Sequence, residues 1–279
     1  MSVNWDFHIY LKNRKIIFGL KLIILFYPVL ITDIENYRTC GGSYIAPLWI
    51  LTAAHCLDST RYRIRLLPDV GKQNRLKIIL SLINVGLHYI RENRTSENLF
   101  IHPFYIKNPI RNDLGLVKIQ SPFPMNNHHY FAKLPSHNLD DINAEVITIK
   151  WNSSEEIVGE NELPFFTLDI LRLNLVKCKN EDLFDMICVG EPGRTPCSGD
   201  SGGPMVYKGE VIGVLSHLVG RNCNDTPVYY ENVYTYKEWI DFIVLKDSLN
   251  NNYFSSCGII DRYLCCALLI LMNCRKVVE

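Results

Sequence analysis

The sequence predicts an all-β fold closed by one C-terminal helix, and three features predict it. The middle of the chain is built of short β-rich runs, such as Glu145-Val146-Ile147-Thr148-Ile149 and Gly209-Glu210-Val211-Ile212-Gly213-Val214, separated by turn residues. The pattern changes at Tyr236-Lys237-Glu238-Trp239-Ile240-Asp241-Phe242-Ile243, where Tyr236, Trp239, Ile240 and Ile243 fall on one helical face. At 279 residues the chain fits one such unit with short extensions, not two independent domains, and it shows no internal repeat or low-complexity tract. Lysine plus arginine equals aspartate plus glutamate at 29 each, so there is no basic excess to recruit nucleic acid or an anionic membrane.

Three local motifs carry chemistry. Thr52-Ala53-Ala54-His55-Cys56 sets a histidine among small residues, one position before a cysteine. Asn112-Asp113-Leu114-Gly115-Leu116-Val117-Lys118-Ile119 sets an aspartate at the entry to an apolar strand, where its carboxylate can be buried. Thr195-Pro196-Cys197-Ser198-Gly199-Asp200-Ser201-Gly202-Gly203-Pro204 mounts Ser201 among glycines, which leave room for a substrate and permit backbone angles that a Cβ forbids. The N–H groups of Gly199 and Ser201 can then point together at a developing oxyanion. A serine hydroxyl is a poor nucleophile at neutral pH and needs a base and a group to orient that base. His55 and Asp113 are residues of the right kind.

Together and in this order, the three motifs resemble those of the trypsin/chymotrypsin-like serine proteases, over roughly residues 16 to 245. The chain looks most similar to the short extracellular members found in arthropods. The resemblance implies a pair of six-stranded antiparallel β-barrels with the active site in the cleft between them. It implies His55 as general base and then general acid, Asp113 as the group that holds the imidazole, and Ser201 as the nucleophile that forms the acyl-enzyme. Ser216, in Gly213-Val214-Leu215-Ser216, matches the family serine that lies beside the buried aspartate. Protein or peptide substrates, an activating protease and protein inhibitors are the partners implied. No motif implies a non-protein cofactor.

The ten cysteines point to an oxidising compartment. By motif match the resemblance pairs Cys40 with Cys56, Cys178 with Cys188, and Cys197 with Cys223. Cys257, Cys265, Cys266 and Cys274 all lie in the C-terminal tail. No C-x-x-C pair is matched by a histidine pair, so zinc is rejected. His128, His129 and His137 sit in a polar loop and read as solvated. N-glycosylation acceptors occur at Asn93, Asn152 and Asn224, in agreement with export.

The specificity pocket departs from the best-known members. In the family the residue six before the nucleophile lies at the pocket floor, and here it is Thr195, which cannot select arginine or lysine by a buried charge pair. Leu218 stands where a glycine normally follows Ser216, and Val228, in Thr226-Pro227-Val228-Tyr229-Tyr230, puts a β-branched residue near another wall. Bulk at both walls predicts a shallow pocket and cleavage after small or medium uncharged side chains. The alternative is drift in an enzyme without strong preference.

Two readings of the N-terminus stand. In the family, a cut frees an amine that pairs with the aspartate before the nucleophile, here Asp200. The nearest match to the usual Ile-Val-Gly-Gly is Ile16-Ile17-Phe18-Gly19 after Lys15, so cleavage there makes residues 1–15 a propeptide. The rival reading takes Lys12, Arg14 and Lys15 followed by the apolar stretch Ile16 to Ile31 as a targeting signal. Residues 16–245 form the protease domain on the first reading; on the second, removing or embedding the apolar stretch would cost the first barrel its first strand. Residues 246–279 form a cysteine-rich tail, with Asn250-Asn251-Asn252 suggesting a linker. Its apolar run Tyr263 to Met272 is too short to span a bilayer as a helix and reads as a peripheral anchor or a short packed helix. The sequence reading is thus a secreted serine endopeptidase. Its competitors are a protease fold that binds a partner without cutting and a membrane-tethered protease.

Overall fold

The computed structural model describes residues 9–11, 14–16, 28–32, 39–58, 77–81, 91–123, 131–139, 144–153, 166–178, 186–190, 195–218 and 227–256. A first set of strands, β1 (Pro28–Thr32), β2 (Thr39–Ala46), β3 (Trp49–Thr52), β4 (Lys77–Ser81), β5 (Arg91–Ile101) and β6 (Gly115–Ile119), closes into an antiparallel barrel. A second set, β7 (Glu145–Ser153), β8 (Phe166–Asn174), β9 (Met186–Val189), β10 (Pro204–Tyr207), β11 (Glu210–Leu218) and β12 (Val228–Asn232), forms a six-stranded antiparallel sheet. Its end strands meet through a bridge between Leu175 and Val189, supported by the Val176 N–H donating to the Cys188 carbonyl at 2.9 Å. The second barrel is therefore closed by a narrower seam than the first.

Each barrel is filled by the inward residues of its strands. In the first, Val29, Ile31, Ile50, Val117 and Ile119 alternate inward and pack on Tyr44 and Phe123. The Tyr44 ring meets Phe123 edge-on at 5.2 Å, and its hydroxyl donates to the Pro47 carbonyl at 2.7 Å, so the one polar atom is satisfied. In the second, Val146, Leu173, Met205, Leu215, Val228 and Tyr230 form the core. Burial pushes the Tyr230 phenol well above its ordinary range, so it stays neutral; Thr148, at 2.8 Å, shares its proton.

The two sheets have the same strand order. Counted from the start of each half, both run 2-1-4-5-6-3 around the sheet. The second copy of this path carries different side chains, which is why no repeat shows in the sequence. β5 contains Asn93 opposite Ile79, and β7 contains Asn152 opposite Thr167; Asn224 lies outside the described residues.

A separate compact unit begins at Tyr236 and contains α1 (Lys237–Ser256). The expected helix is present and runs longer than its apolar spacing indicates, through Asn250-Asn251-Asn252, which the sequence suggested as a linker. Asparagine costs only about 0.5–0.7 kcal/mol per residue relative to alanine in a helix already nucleated, so three of them need not end it. Among the described residues no helix is long and apolar enough to cross a membrane. The apolar tail after Ser256 lies outside them.

Candidate active site

His55 sits in a single 3-10 turn, Ala54–Cys56, directly after β3. The turn is tight because Ala53 and Ala54 are fully buried and small, and because Cys56 is bonded to Cys40 on β2 across a separation of 16 residues. A loop of that length gains about 3 kcal/mol from its disulfide in the chain-entropy model. Here the bond also fixes the histidine's backbone. Cys178 and Cys188 are bonded as well, and Cys197 is disulfide-bonded; its expected partner, Cys223, lies outside the described residues.

Asp113 is fully buried just before β6. Its Oδ1 accepts the His55 backbone N–H at 2.8 Å, and its Oδ2 takes His55 Nδ1 at 2.7 Å. The Ser216 hydroxyl, from β11 of the second barrel, donates to the same Oδ2 at 2.7 Å. An ionised carboxylate only accepts, so the proton of this pair sits on Nδ1 and the lone pair of the ring is left on Nε2. Sequence reasoning anticipated this cluster of His55, Asp113 and Ser216. It missed Glu231, whose Oε1 accepts the Asp113 backbone N–H at 2.8 Å, and His217, whose Nδ1 lies 3.1 Å from Ser216 Oγ. Neither belongs to a motif.

Ser201 lies in the loop between Thr195 and Pro204. Gly41 of β2 donates to the Ser201 carbonyl at 2.7 Å, while Gly202 donates to Leu215 of β11 at 2.7 Å. The loop is thus stitched to both barrels. The sulfur of Cys56 lies 3.8 Å from His55 Nε2 and 3.6 Å from the Ser201 carbonyl oxygen. A disulfide sulfur has no proton to donate, so these are packing contacts, and they bring the His55 ring and the Ser201 main chain against one atom. Among the described residues no hydrogen bond joins the Ser201 hydroxyl to Nε2, a bond that in substrate-free sites is often long. The same sulfurs rule out a metal centre at Cys40, His55 and Cys56, because each is bonded to the other instead of being a free thiolate.

Gly199 has φ 100°, a value that side chains rarely adopt. Among the described residues the N–H groups of Gly199 and Ser201 have no hydrogen-bond partner, although neighbouring Asp200 donates to Cys197 and Gly203 to Asp200. The carboxylate of Asp200 is buried and accepts the Trp151 and Cys197 N–H groups, each at 2.6 Å. Ile16 pairs with Ile9, and Lys15 with Tyr10, in a two-stranded hairpin of the intact chain. Any pairing of an Ile16 amine with Asp200 therefore belongs to a cleaved form.

Thr195 is buried, and Val228 is fully buried in the second core. Leu218 is the register partner of Val228 across β11 and β12 and packs against the same cluster. Opposed residues in neighbouring strands put their side chains on one face, about 5 Å apart, so these two fill one space together.

His217 stacks on Tyr229 at 4.7 Å. Burial holds its pKa below the ordinary 6.5, Asp113 opposes that shift and His55 adds to it. The unfolded chain therefore binds this proton more readily, and stability gained above pH 6.5 is lost as pH falls below it towards the depressed value. Replacing His217 by Gln should remove this part of the pH slope, at most about 1.4 kcal/mol per pH unit for one proton. Urea midpoints measured at several pH values in both proteins check it; equal slopes would show that the ring titrates alike folded and unfolded.

Comparison with known proteins gives a consistent result. A family model described as Trypsin matches residues 27–240. Trypsin-4 of Rattus norvegicus is 31% identical, over 76% of this chain and 81% of the relative. Trypsin-3 of Salmo salar is 28% identical, over 74% of this chain and 83% of the relative. A Mus musculus relative, serine protease 58, whose name describes it as inactive, is 30% identical over 81% of this chain and 88% of its own length.

Proposed function

Because the chain belongs to the trypsin/chymotrypsin-like family of serine proteases, we propose that it is a secreted endopeptidase that hydrolyses peptide bonds through an acyl-enzyme on Ser201. One observation supports the reading: a fully buried Asp113 lies 2.7 Å from His55 Nδ1, which leaves Nε2 to act as the base towards Ser201. In this reading Ser201 Oγ attacks the scissile carbonyl carbon and its proton passes to Nε2. The resulting oxyanion is met by the Gly199 and Ser201 N–H groups, which nothing else among the described residues occupies. Collapse breaks the C–N bond, and the departing amine takes the proton from His55. Water then repeats the sequence on the ester.

A fluorophosphonate probe tests this. Ser201 of the cleaved protein should be labelled, and His55→Ala should abolish the labelling. Failure of the cleaved wild-type protein to label would sink the peptidase reading. It would favour a second one, a protease fold that binds a partner without cutting, which the relative described as inactive supports at 30% identity.

The pocket reading extends the proposal. Thr195 supplies no charge, and Leu218 and Val228 crowd one face, which favours small or medium uncharged side chains at the cleaved position. A peptide-library profile dominated by arginine or lysine would overturn it. Activation by a cut between Lys15 and Ile16 fits a two-stranded hairpin, which is marginal in isolation and can open into a neighbouring protease. The bonded cysteines support an oxidising, extracellular setting, with glycans at Asn93, Asn152 and Asn224 as a further expectation.

A further inference from the structure

Asp113 is held by its main chain as well as by its carboxylate. Asn112 before it has φ 49°, and Asn112 Nδ2 donates to the Phe104 carbonyl at 2.9 Å. The Leu114 N–H donates back to the Asn112 carbonyl at 2.8 Å, so Asp113 is the centre of a three-residue turn. A residue at the apex of such a turn has its own N–H directed away from the strand ladder. That N–H donates to Glu231 Oε1 at 2.8 Å.

Glu231 is an unexpected residue in its place. β12 is a central strand, paired with β9 at Met186 and with β11 at Val214. Tyr230 beside it enters the apolar core, so alternation turns Glu231 to the opposite face of the sheet. There it is 2% exposed. A carboxyl group buried in the middle of a strand is costly unless hydrogen bonds satisfy it. One bond it accepts is from the backbone of Asp113, the residue bonded to His55, and it reaches across from the other barrel.

We infer that Glu231 is a positioning residue of the triad: its carboxylate, carried on the second barrel, fixes the Asp113 main chain from which the His55-holding carboxylate projects. Ser216 does for the Asp113 side chain what Glu231 does for its backbone, and both reach it from the second barrel. The relative placement of the barrels is thereby read out at the histidine. Small displacements of an orienting group cost catalysis more than binding, because only the transition state needs the aligned imidazole.

The inference rests on the peptidase reading, and its test keeps the two separable by using a signal that needs no turnover. In a Ser201→Ala background, the proton NMR resonance of the His55 Nδ1–H should lie far downfield because of its 2.7 Å bond to Asp113. Glu231→Leu, which fills the site but cannot accept, should shift or broaden that resonance, and Glu231→Gln, which keeps an acceptor oxygen, should preserve it. In the Ser201-intact protein, Glu231→Leu should lower kcat at least tenfold with KM within about twofold, and Glu231→Gln should restore kcat to within about threefold. If the Leu protein does not fold, Glu231→Ala, which leaves space for water, is read by the same two signals. A resonance and a kcat equal to wild type in the acceptor-free variant would overturn the inference. So would equal losses in both variants with the resonance unmoved. A wild-type protein that never labels, yet whose resonance still depends on Glu231, would reject the peptidase reading alone.

Discussion

Asparagine in place of Asp113 should lower kcat/KM about 10⁴-fold while the protein stays folded. The reason lies in the donors that surround the carboxylate. Oδ1 receives the His55 backbone N–H, and Oδ2 receives both His55 Nδ1 and the Ser216 hydroxyl. An amide can offer an oxygen to only one of these sides. Turning its NH2 towards the backbone N–H sets two fixed donors against each other in a fully buried site, at a cost of about 1–3 kcal/mol. Turning it towards the ring and Ser216 is tolerable, because an imidazole can give up its Nδ1 proton and a hydroxyl can rotate to accept. The second orientation wins. The ring proton then sits on Nε2, where the base should be, and Ser201 has nothing to take its proton. The rate of fluorophosphonate labelling checks this, alongside the unfolding midpoint. Near-native labelling would mean that Asp113 does not set the tautomer; a collapsed midpoint would mean that the loss is structural.

How far the sequence could be read depended on the distance over which each feature is encoded. His55, Asp113 and Ser201 each lie in a motif of local residues, because each needs particular neighbours: small residues around the 3-10 turn, an apolar strand after the aspartate, glycines around the serine. Such neighbours are adjacent in the chain and so legible. The all-β character was legible for the same reason, since alternation is local. Glu231 was not, because what makes it notable is a partner more than a hundred residues away on the other barrel, and His217 was not, because its stacking on Tyr229 is set by the pairing of two strands. The shared strand order of the two sheets was hidden too. Backbone pairing sets the path of each sheet, while very different apolar side chains fill its core, so the path repeats where the letters do not. The helix overran its apolar spacing because hydrogen bonding, once nucleated, carries through residues of indifferent preference such as Asn250 to Asn252.

Alanine at Gly202 should be among the most destabilising single substitutions in the molecule, and the comparison with Gly209 shows why. Both glycines have positive φ, 81° and 89°. Gly209 follows Lys208, itself at φ 45°, in the turn joining β10 to β11, where two left-handed residues match the twist of a hairpin. Alanine there carries the backbone penalty of about 1–2 kcal/mol. At Gly202 the same penalty comes with a collision. A Cβ would lie 2.2 Å from Thr52 Oγ1 and 2.5 Å from the Gly41 carbonyl oxygen. The threonine hydroxyl could rotate away, but it would give up its 2.8 Å bond to that same carbonyl, worth about 1 kcal/mol. The carbonyl itself belongs to β2 and cannot move without pulling on the bond from Gly41 N–H to Ser201, worth about 1 kcal/mol more. Relief therefore requires the first barrel and the serine loop to separate at the site. The sum is about 3–4 kcal/mol, a large part of a typical 5–15 kcal/mol stability. Chemical denaturation of the two alanine variants decides the matter. Gly202→Ala should lose at least about 2 kcal/mol more than Gly209→Ala; equal losses would mean that backbone strain alone, and not the close approach of the first barrel, selects glycine beside Ser201.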